Sequence, residues 1–135
     1  MYNVVIDSNI LVSGLLTSNG NPAQIINALK AKRFIMFYNT EIMIEYSDVL
    51  NRERFGFNKD DVNELLDVII EIGTPVLIKK STIPLADEDD RVFYDVAISS
   101  NSYLITGNID DYPKESFIIK PKEFIDMLNR MFSPD

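Results

Sequence analysis

Cysteine and histidine are both absent from this chain of 135 residues. Without cysteine the chain has no disulfides and no thiolate metal ligands, which is compatible with a cytoplasmic protein. Without histidine it lacks imidazole bases, the usual zinc ligands, and the Ser-His-Asp and Cys-His catalytic arrangements. Any catalysis must therefore use carboxylates, hydroxyls, lysines or a hard metal ion held by oxygen ligands.

Long hydrophobic runs are also missing. No apolar segment approaches the roughly 20 residues that a transmembrane helix requires, and no basic region precedes the first apolar stretch as it would in a secretory signal. The length favours a single domain over residues 1–135, and a content of 46% hydrophobic and 25% charged residues is typical of globular proteins. We therefore expect one cytoplasmic domain with no membrane segment.

Positive charge is scarce, because 13 lysines and arginines stand against 21 acidic residues and give a net charge of −8. This balance disfavours broad electrostatic binding of nucleic acid, which needs cations against phosphates. It does not exclude a nucleic-acid substrate, because the carboxylates that hold Mg²⁺ are themselves acidic. A basic partner protein is also compatible with this charge.

Short apolar segments alternate with amphipathic segments along the chain. Strands are predicted at 2–7, 34–39, 75–80, 103–106 and 116–120, and helices at 22–33, 41–53, 58–73, 90–101 and 121–132. This alternation indicates an α/β fold with a mainly parallel sheet and helices on both faces. In such sheets ligands bind beyond the carboxyl ends of the strands.

Polar side chains follow two of the predicted strands. Asp7 ends the strand 2–7, and Asn108 and Asp110 follow the strand 103–106. A single acid in such a place usually ends a strand or caps a helix. Two polar groups at the same edge of a parallel sheet favour a site built from carboxylates.

A further acid is expected near the start of the helix 90–101. Asp90 lies at the border of its apolar stripe and in its first turn, whereas Asp95 falls on the opposite side, in solvent. Asp89 points closer to the stripe and Asp87 is a candidate cap, so the choice among the three acids stays open. Complementation of the helix dipole is the alternative role.

Glu45 lies at the flank of the apolar face of the helix 41–53. It is either a site residue or a solvated acid in an ion pair. The remaining helix acids are predicted to lie on solvated faces without a functional role: Asp48, Asp60, Asp61, Glu64, Asp67 and Glu71.

Four motifs in order resemble those of PIN-domain nucleases, in the branch of VapC-like toxins from toxin–antitoxin pairs. The segment VVIDSNILVSGLL resembles the first motif, and TEIMIEYSDVLNRERF resembles the second. The segment DEDDRVFYDVAISSNSYLITGNIDDYP resembles the third and fourth. Together the resemblance covers nearly the whole chain.

The resemblance implies a three-layer α/β/α sandwich and a metal-dependent endoribonuclease that binds Mg²⁺ or Mn²⁺ through three or four carboxylates. Asp7, Glu45 and Asp90 match the first three acids of the family. Asn108 stands where many members have aspartate, and Asp110 is a candidate for the missing charge. Asp111 is expected to be the solvated acid of that pair. The implied partners are an RNA substrate, a cognate antitoxin and a second copy of the chain in a homodimer.

The residue supply agrees with this chemistry. Hydrolysis of a phosphodiester needs an activated water and stabilisation of negative charge, and without histidine a metal ion is the economical source of both. Asn9 is expected to orient Asp7 by hydrogen bonding, and Ser8 or Thr106 to hold a ligand or a metal-bound water. The alternative role for these side chains is capping of the first helical turn.

Three other classes compete with the nuclease. A haloacid-dehalogenase-type phosphatase needs a second aspartate two residues after Asp7, where this chain has Asn9. A phosphoacceptor receiver domain needs an aspartate at a strand end that the segment 34–39 does not supply. A degenerate PIN domain that only binds protein or RNA is favoured by Asn108, but the three matching acids favour an active enzyme.

Overall fold

A computed structural model describes residues 1–78 and 80–132. Residue 79, which belongs to the strand predicted at 75–80, lies outside the described residues. None of the described helices is long and apolar enough to cross a membrane.

Within the described residues, five parallel strands form one sheet in the order β3-β2-β1-β4-β5. The strands are β1 (Asn3–Ile6), β2 (Ile35–Tyr38), β3 (Thr74–Pro75), β4 (Tyr103–Ile105) and β5 (Ile118–Ile119). The central strand β1 is buried on both faces, since Val4, Val5 and Ile6 have no exposed surface. This burial explains its continuous apolar sequence. The predicted α/β fold with a mainly parallel sheet is confirmed, in an α/β/α arrangement.

In the part of the chain that the structure describes, six α-helices connect and cover these strands. They are α1 (Ser8–Leu16), α2 (Asn21–Lys30), α3 (Thr40–Leu50), α4 (Lys59–Ile72), α5 (Arg91–Ser99) and α6 (Pro121–Phe132). The sequence pattern predicts five of them and assigns no element to α1. Most positions of α1 are apolar, so its sequence shows little of the periodicity that identifies an amphipathic helix.

Helix α2 packs against both α1 and α6. Gly14 permits the close approach of α1 to α2, because a Cβ atom there would lie 2.4 Å from Ile26 Cδ1 and 3.2 Å from the Pro22 carbonyl oxygen. On the other side of the molecule, α5 packs across β1, β4 and β2. The start of α5 is thereby fixed against the central strands.

Two predicted elements are longer than the observed ones. The strand predicted at 75–80 is wrong in extent, because the observed strand in the described part of the chain is Thr74–Pro75, and Leu77 beyond it is 99% exposed. Helix α3 ends at Leu50 instead of residue 53, and a short 3-10 turn, Glu53–Phe55, follows. Local propensity supports both extensions, but Val76, Ile78 and Phe55 contact the core without continuing the regular strand or helix.

The loop before α5, residues 80–90, is fixed by the guanidinium of Arg91, which is only 8% exposed. This group donates hydrogen bonds to the carbonyl oxygens of Ser81 at 2.9 Å and Ile83 at 2.6 Å, and it pairs with Glu88 at 2.7 Å. The carboxylate of Asp95 accepts a hydrogen bond from the Ser81 amide at 3.1 Å.

The prediction that Asp95 lies in solvent is therefore wrong, since its side chain is only 2% exposed. A helical projection identifies the face of α5 that contacts the sheet. It carries no information about the loop that folds over a second face and buries Asp95.

Candidate active site

Asp7 and Thr106 lie side by side at the carboxyl edge of the sheet. Strands β1 and β4 are parallel neighbours with Ile6 opposite Ile105, and the Asp7 amide donates to the Ile105 carbonyl oxygen at 3.0 Å. Both strands therefore end at the same edge of the sheet. This placement is the one that parallel connectivity leads us to expect.

The carboxylate of Asp7 is 5% exposed and is held by two hydroxyl groups. Its Oδ2 atom accepts hydrogen bonds from Thr106 Oγ1 and from Tyr112 Oη, both at 2.9 Å. Burial raises the pKa of Asp7 above its ordinary value, although the hydrogen bonds from Tyr112 and Thr106 oppose this shift. The result is a desolvated, oriented carboxylate.

Thr106 connects Asp7 to the neighbouring loop. Its Oγ1 accepts hydrogen bonds from the Asn108 amide at 3.0 Å and from Asn9 Nδ2 at 3.3 Å. Asn9 Oδ1 in turn accepts from the Gly107 amide at 3.0 Å. The Asn9 side chain therefore acts on Asp7 through Thr106, and not by the direct bond that the sequence suggested.

Asp90 is the acid of the segment 87–90 that the structure leaves partly buried, while Asp87 and Asp89 are exposed. Burial raises the pKa of Asp90 from 3.8 to about 7, and the negative charge of Asp7 is the next largest cause. Further carboxylates in the same region, including Asp87 and Asp111, act in the same direction. Asp90 and Asp7 thus share one region of strongly negative potential.

Capping of helix starts does not account for the positions of Asp7, Asp90 and Asn108. Asn39, Asn58 and Asp87 each accept a hydrogen bond from a backbone amide of the turn that follows, at 2.8 to 2.9 Å. In the described part of the chain, the side chains of Asp7, Asp90 and Asn108 also stand at the starts of helical segments, yet none makes a capping hydrogen bond. The side-chain oxygens of Asp90 and Asn108 are therefore not used in capping, and Oδ2 of Asp7 is held by Thr106 and Tyr112 instead.

A cleft of about 300 Å³ opens at this edge of the sheet. Its polar lining includes Asp7, Ser8, Asn9, Asp87, Asp90, Asn108 and Asp111, together with Arg52 and Arg54. The hydroxyl of Ser8 is buried and has no hydrogen-bond partner among the described residues. A buried hydroxyl without a partner is costly, so an additional group at this place would satisfy it.

Glu45 lines a neighbouring cleft of about 450 Å³ with Asp89 instead of the cleft that holds Asp7. Burial raises the pKa of Glu45, followed by the charges of Asp89 and Asp48, and the charge of Asp7 contributes least. The helix that carries Glu45 is nevertheless tied to the site, because Tyr46 Oη donates to the Ile6 carbonyl oxygen at the end of β1.

The structure places Asp111 at the cleft, where Asp110 was expected. Both are exposed and belong to the 3-10 turn Ile109–Asp111. Asp111 lines the cleft and raises the pKa of Asp90, whereas Asp110 does neither. The tight turn rotates the nearer residue away from the cleft and directs the farther one toward it.

Sequence reasoning missed Tyr112 and the segment that carries Arg52, Arg54 and Phe55. The position of Tyr112 after an acidic turn does not by itself indicate a contact with Asp7, although a buried tyrosine hydroxyl usually needs a partner. Arg52 and Arg54, which follow α3, could have been recognised in the sequence as a candidate binding segment, because basic residues are scarce in this chain.

The described residues do not form a preassembled metal cage, since no three acidic side chains among them are placed to coordinate one ion. The expected convergence of Asp7, Glu45 and Asp90 on one point is therefore not observed. Mg²⁺ takes only one or two carboxylates and keeps several waters. Asp7, Asp90 and Asn108 line one cleft and would suit such an ion, since burial and the negative charge of Asp7 both raise the pKa of Asp90.

The fold and the acidic cleft together are those of a nuclease-type α/β/α protein. Residues 3–110 match the PIN domain family, and the chain belongs to this family. PIN domains are generally nucleases that act on RNA and use divalent metal ions.

An uncharacterized protein of Methanocaldococcus jannaschii, MJ1680, is similar to the chain. The two sequences are 26% identical over an alignment 145 positions long, which covers 96% of this chain and 94% of the relative. No solved structure shows significant similarity to the chain.

Proposed function

We propose that residues 1–135 form a single cytoplasmic ribonuclease domain that hydrolyses RNA phosphodiester bonds with Mg²⁺ or Mn²⁺. The observation that carries this proposal is that Asp7 and Asp90 line the same cleft. One carboxylate is buried and oriented by two hydroxyls, and the other has its pKa raised to about 7 by burial and neighbouring negative charge. Such arrangements are typical of functional sites.

Asp7, Asp90 and Asn108 would hold the metal ion. When bound, the ion would supply activation of a water molecule and neutralisation of charge on the scissile phosphate. Asn108 offers a carbonyl oxygen but no charge, so the affinity for metal should be lower than it would be with an aspartate at position 108.

The chain's own groups have defined parts in this proposal. Thr106 and Tyr112 position the carboxylate of Asp7, and Asn9 fixes Thr106. The unpartnered hydroxyl of Ser8 is available to a bound water or a phosphate oxygen. Glu45, in the neighbouring cleft, is proposed to act from the far side of the substrate.

Cleavage of a mixed RNA pool with Mg²⁺ or Mn²⁺ tests the proposal. Asp7→Asn should lower turnover at least about 100-fold, because one group of a preorganised electrostatic site is lost. Asp67→Asn, which removes an exposed acid on α4, is the matched control and should retain full activity. Activity that survives EDTA or Asp7→Asn would exclude the mechanism. RNA binding without cleavage would instead support the non-catalytic alternative that Asn108 favours.

We also propose that the protein is the toxin of a toxin–antitoxin pair, on the strength of the motif resemblance. Asp7, Asp90, Asp111 and the acids of the neighbouring cleft would attract a cationic segment of an antitoxin, which would compete with the metal ion. Co-expression with the product of a small adjacent reading frame should relieve growth inhibition. If no neighbouring product binds the protein or relieves its effect, the toxin role fails while the nuclease proposal stands.

A further inference from the structure

A cationic and aromatic segment, residues 52–57, borders the acidic cleft between α3 and α4. Arg52, Arg54 and Phe55 line the same cleft as Asp7 and Asp90. The segment contains the 3-10 turn Glu53–Phe55, which ends at Gly56 with a φ of +61°. That left-handed residue turns the chain sharply before α4.

The aromatic rings and one guanidinium of this segment are stacked. The guanidinium carbon of Arg54 lies 4.8 Å from the centroid of the Phe55 ring. The rings of Phe55 and Phe57 have centroids 5.5 Å apart and planes inclined by only 16°. Both rings are partly buried and pack against the core, which fixes their orientation while leaving part of each accessible.

Arg52 and Arg54 stand out against the overall charge of the molecule. The chain carries a net charge of −8, yet two guanidinium groups lie at the rim of the cleft where its acids are concentrated. Arg52 pairs with Asp48 at 3.3 Å and keeps 42% of its side chain exposed. Arg54 is exposed as well. Exposed arginines beside stacked rings are suited to phosphates and to the faces of nucleobases.

We propose that residues 52–57 are the docking surface for single-stranded RNA, with Arg52 and Arg54 contacting phosphates and the Arg54–Phe55 stack receiving an unpaired base. This inference rests on the proposed function, since the bound strand would lead from this surface to Asp7 and Asp90. It names the form of the substrate, because a base held in a duplex cannot offer its face to the stack. It also predicts little sequence preference, since every base has a π-face.

Binding of a fluorescent single-stranded RNA oligonucleotide, followed by anisotropy, tests this surface. All binding measurements use the Asp7→Asn background, so that cleavage does not interfere. Phe55→Leu keeps an apolar side chain but removes the aromatic face, and Arg54→Lys keeps the charge but removes the planar group. Each should weaken binding roughly 5- to 150-fold, the range expected for loss of one base-stacking contact.

Lys30→Gln is the matched charge control. Lys30 is an exposed base that ends α2 just before β2 begins, at the opposite edge of the sheet from the cleft. Its substitution should leave the affinity unchanged within about twofold at moderate salt, where distant exposed charges are screened. An equal loss of affinity in Lys30→Gln and Arg54→Gln would overturn the assignment to this surface.

Two further measurements separate docking from a merely structural role. The double variant Arg52→Gln/Arg54→Gln should reduce the slope of log affinity against log salt concentration by about 1.4, or about 0.7 per phosphate contact. Arg54→Lys should leave the slope unchanged. An abasic oligonucleotide should bind the Asp7→Asn protein and its Phe55→Leu derivative equally. Unchanged affinity of Phe55→Leu for the intact strand, or equal binding of duplex and single strand, would overturn the proposal.

Failure of this inference is distinguishable from failure of the proposed function. With the catalytic acids intact, Phe55→Leu should raise KM while kcat at saturating RNA stays within about twofold. Metal-dependent cleavage with an unchanged KM in Phe55→Leu would refute the docking surface alone. Binding that depends on Phe55, without cleavage by any form of the protein, would refute the nuclease alone.

Discussion

At the scale of single residues, the carboxylate of Asp7 depends on two hydroxyl groups that come from the other end of the chain. Tyr112 and Thr106 both donate to its Oδ2 atom within a buried environment. Each hydroxyl stabilises the ionised form against desolvation and fixes the orientation of the oxygens. In metalloproteins, replacement of a group that orients a metal ligand in this way typically costs about 10- to 100-fold in metal affinity or activity.

Tyr112→Phe should lower metal-dependent RNA cleavage by about 10- to 100-fold, because it removes one of these bonds and raises the pKa of Asp7 further. Tyr94→Phe is a matched control. Tyr94 is equally buried, but its hydroxyl donates to Glu115 at 3.1 Å. The initial rates of both variants, measured with Mn²⁺ at several pH values, check this prediction. Equal activity of the two variants would show that the bond to Asp7 has no part in the reaction.

The neighbouring acids Asp110 and Asp111 provide a second test at this scale. Asp111→Asn should weaken Mn²⁺ binding, because Asp111 adds negative charge next to Asp90. Asp110→Asn should have little effect, and Asn108→Asp should tighten binding by adding a charge to the proposed site. Calorimetric titration of the three variants decides the matter. Weaker binding in Asp110→Asn than in Asp111→Asn would contradict the observed orientation of the turn.

At the scale of elements, the loop 80–90 and α5 behave as one unit because Arg91 joins them. Its guanidinium contacts Ser81, Ile83 and Glu88, and the Ser81 amide is bound in turn by Asp95. The unit carries Asp90 and lies against the central strands through α5. The position of Asp90 is therefore set by a buried polar network and not by α5 alone.

Arg91→Lys should destabilise the protein by about 1–3 kcal/mol, because an ammonium group cannot satisfy the same set of acceptors. It should also reduce activity by loosening the segment before Asp90. Arg130→Lys, an exposed substitution on α6, should change the free energy of unfolding by less than about 0.5 kcal/mol. Urea denaturation followed by circular dichroism gives both values. Equal stability of the two variants would mean that the loop is held by other contacts.

At the scale of the whole molecule, the burial of Asp90 and the negative charges around it link stability to pH and to metal. Asp90 has a pKa of about 7 in the folded protein, compared with an ordinary value of 3.8 in the unfolded chain. The metal-free folded protein therefore binds more protons between pH 4 and pH 7, so its stability falls as the pH rises through this window. The raised pKa of Asp7 acts in the same direction.

Asp90→Asn should consequently be more stable than the natural chain in EDTA at pH 8, and should lose that advantage below pH 4. The difference should be about 1–2 kcal/mol, because solvent screening of a partly exposed group reduces the effect of the full pKa shift. Thermal denaturation at pH 4, 6 and 8 checks the sign. Excess Mg²⁺ should stabilise the natural chain at pH 8 but not Asp90→Asn. A natural chain that gains stability with pH in EDTA would contradict the negative potential of the cleft.

The class of fold, and the edge of the sheet at which Asp7 and Asn108 meet, follow from the sequence pattern alone. Alternating strands and helices lead to a parallel sheet, and parallel connectivity brings Asp7 and Asn108 to neighbouring strand ends. The absence of histidine left carboxylates as the main reactive groups. These inferences succeed because they depend on periodicity, connectivity and residue supply, all of which are local or additive properties of the chain.

The tertiary structure alone decided which side chains meet. Tyr112 and Thr106 reach Asp7 across 105 and 99 residues of sequence, and no pattern in either segment specifies that contact. Glu45 opens onto the neighbouring cleft, and Asp95 is covered by a loop. Each of these outcomes depends on backbone turns and on packing between distant segments. The periodicity of a helix or strand shows only which of its faces is apolar. Which segment packs against that face depends on the tertiary fold.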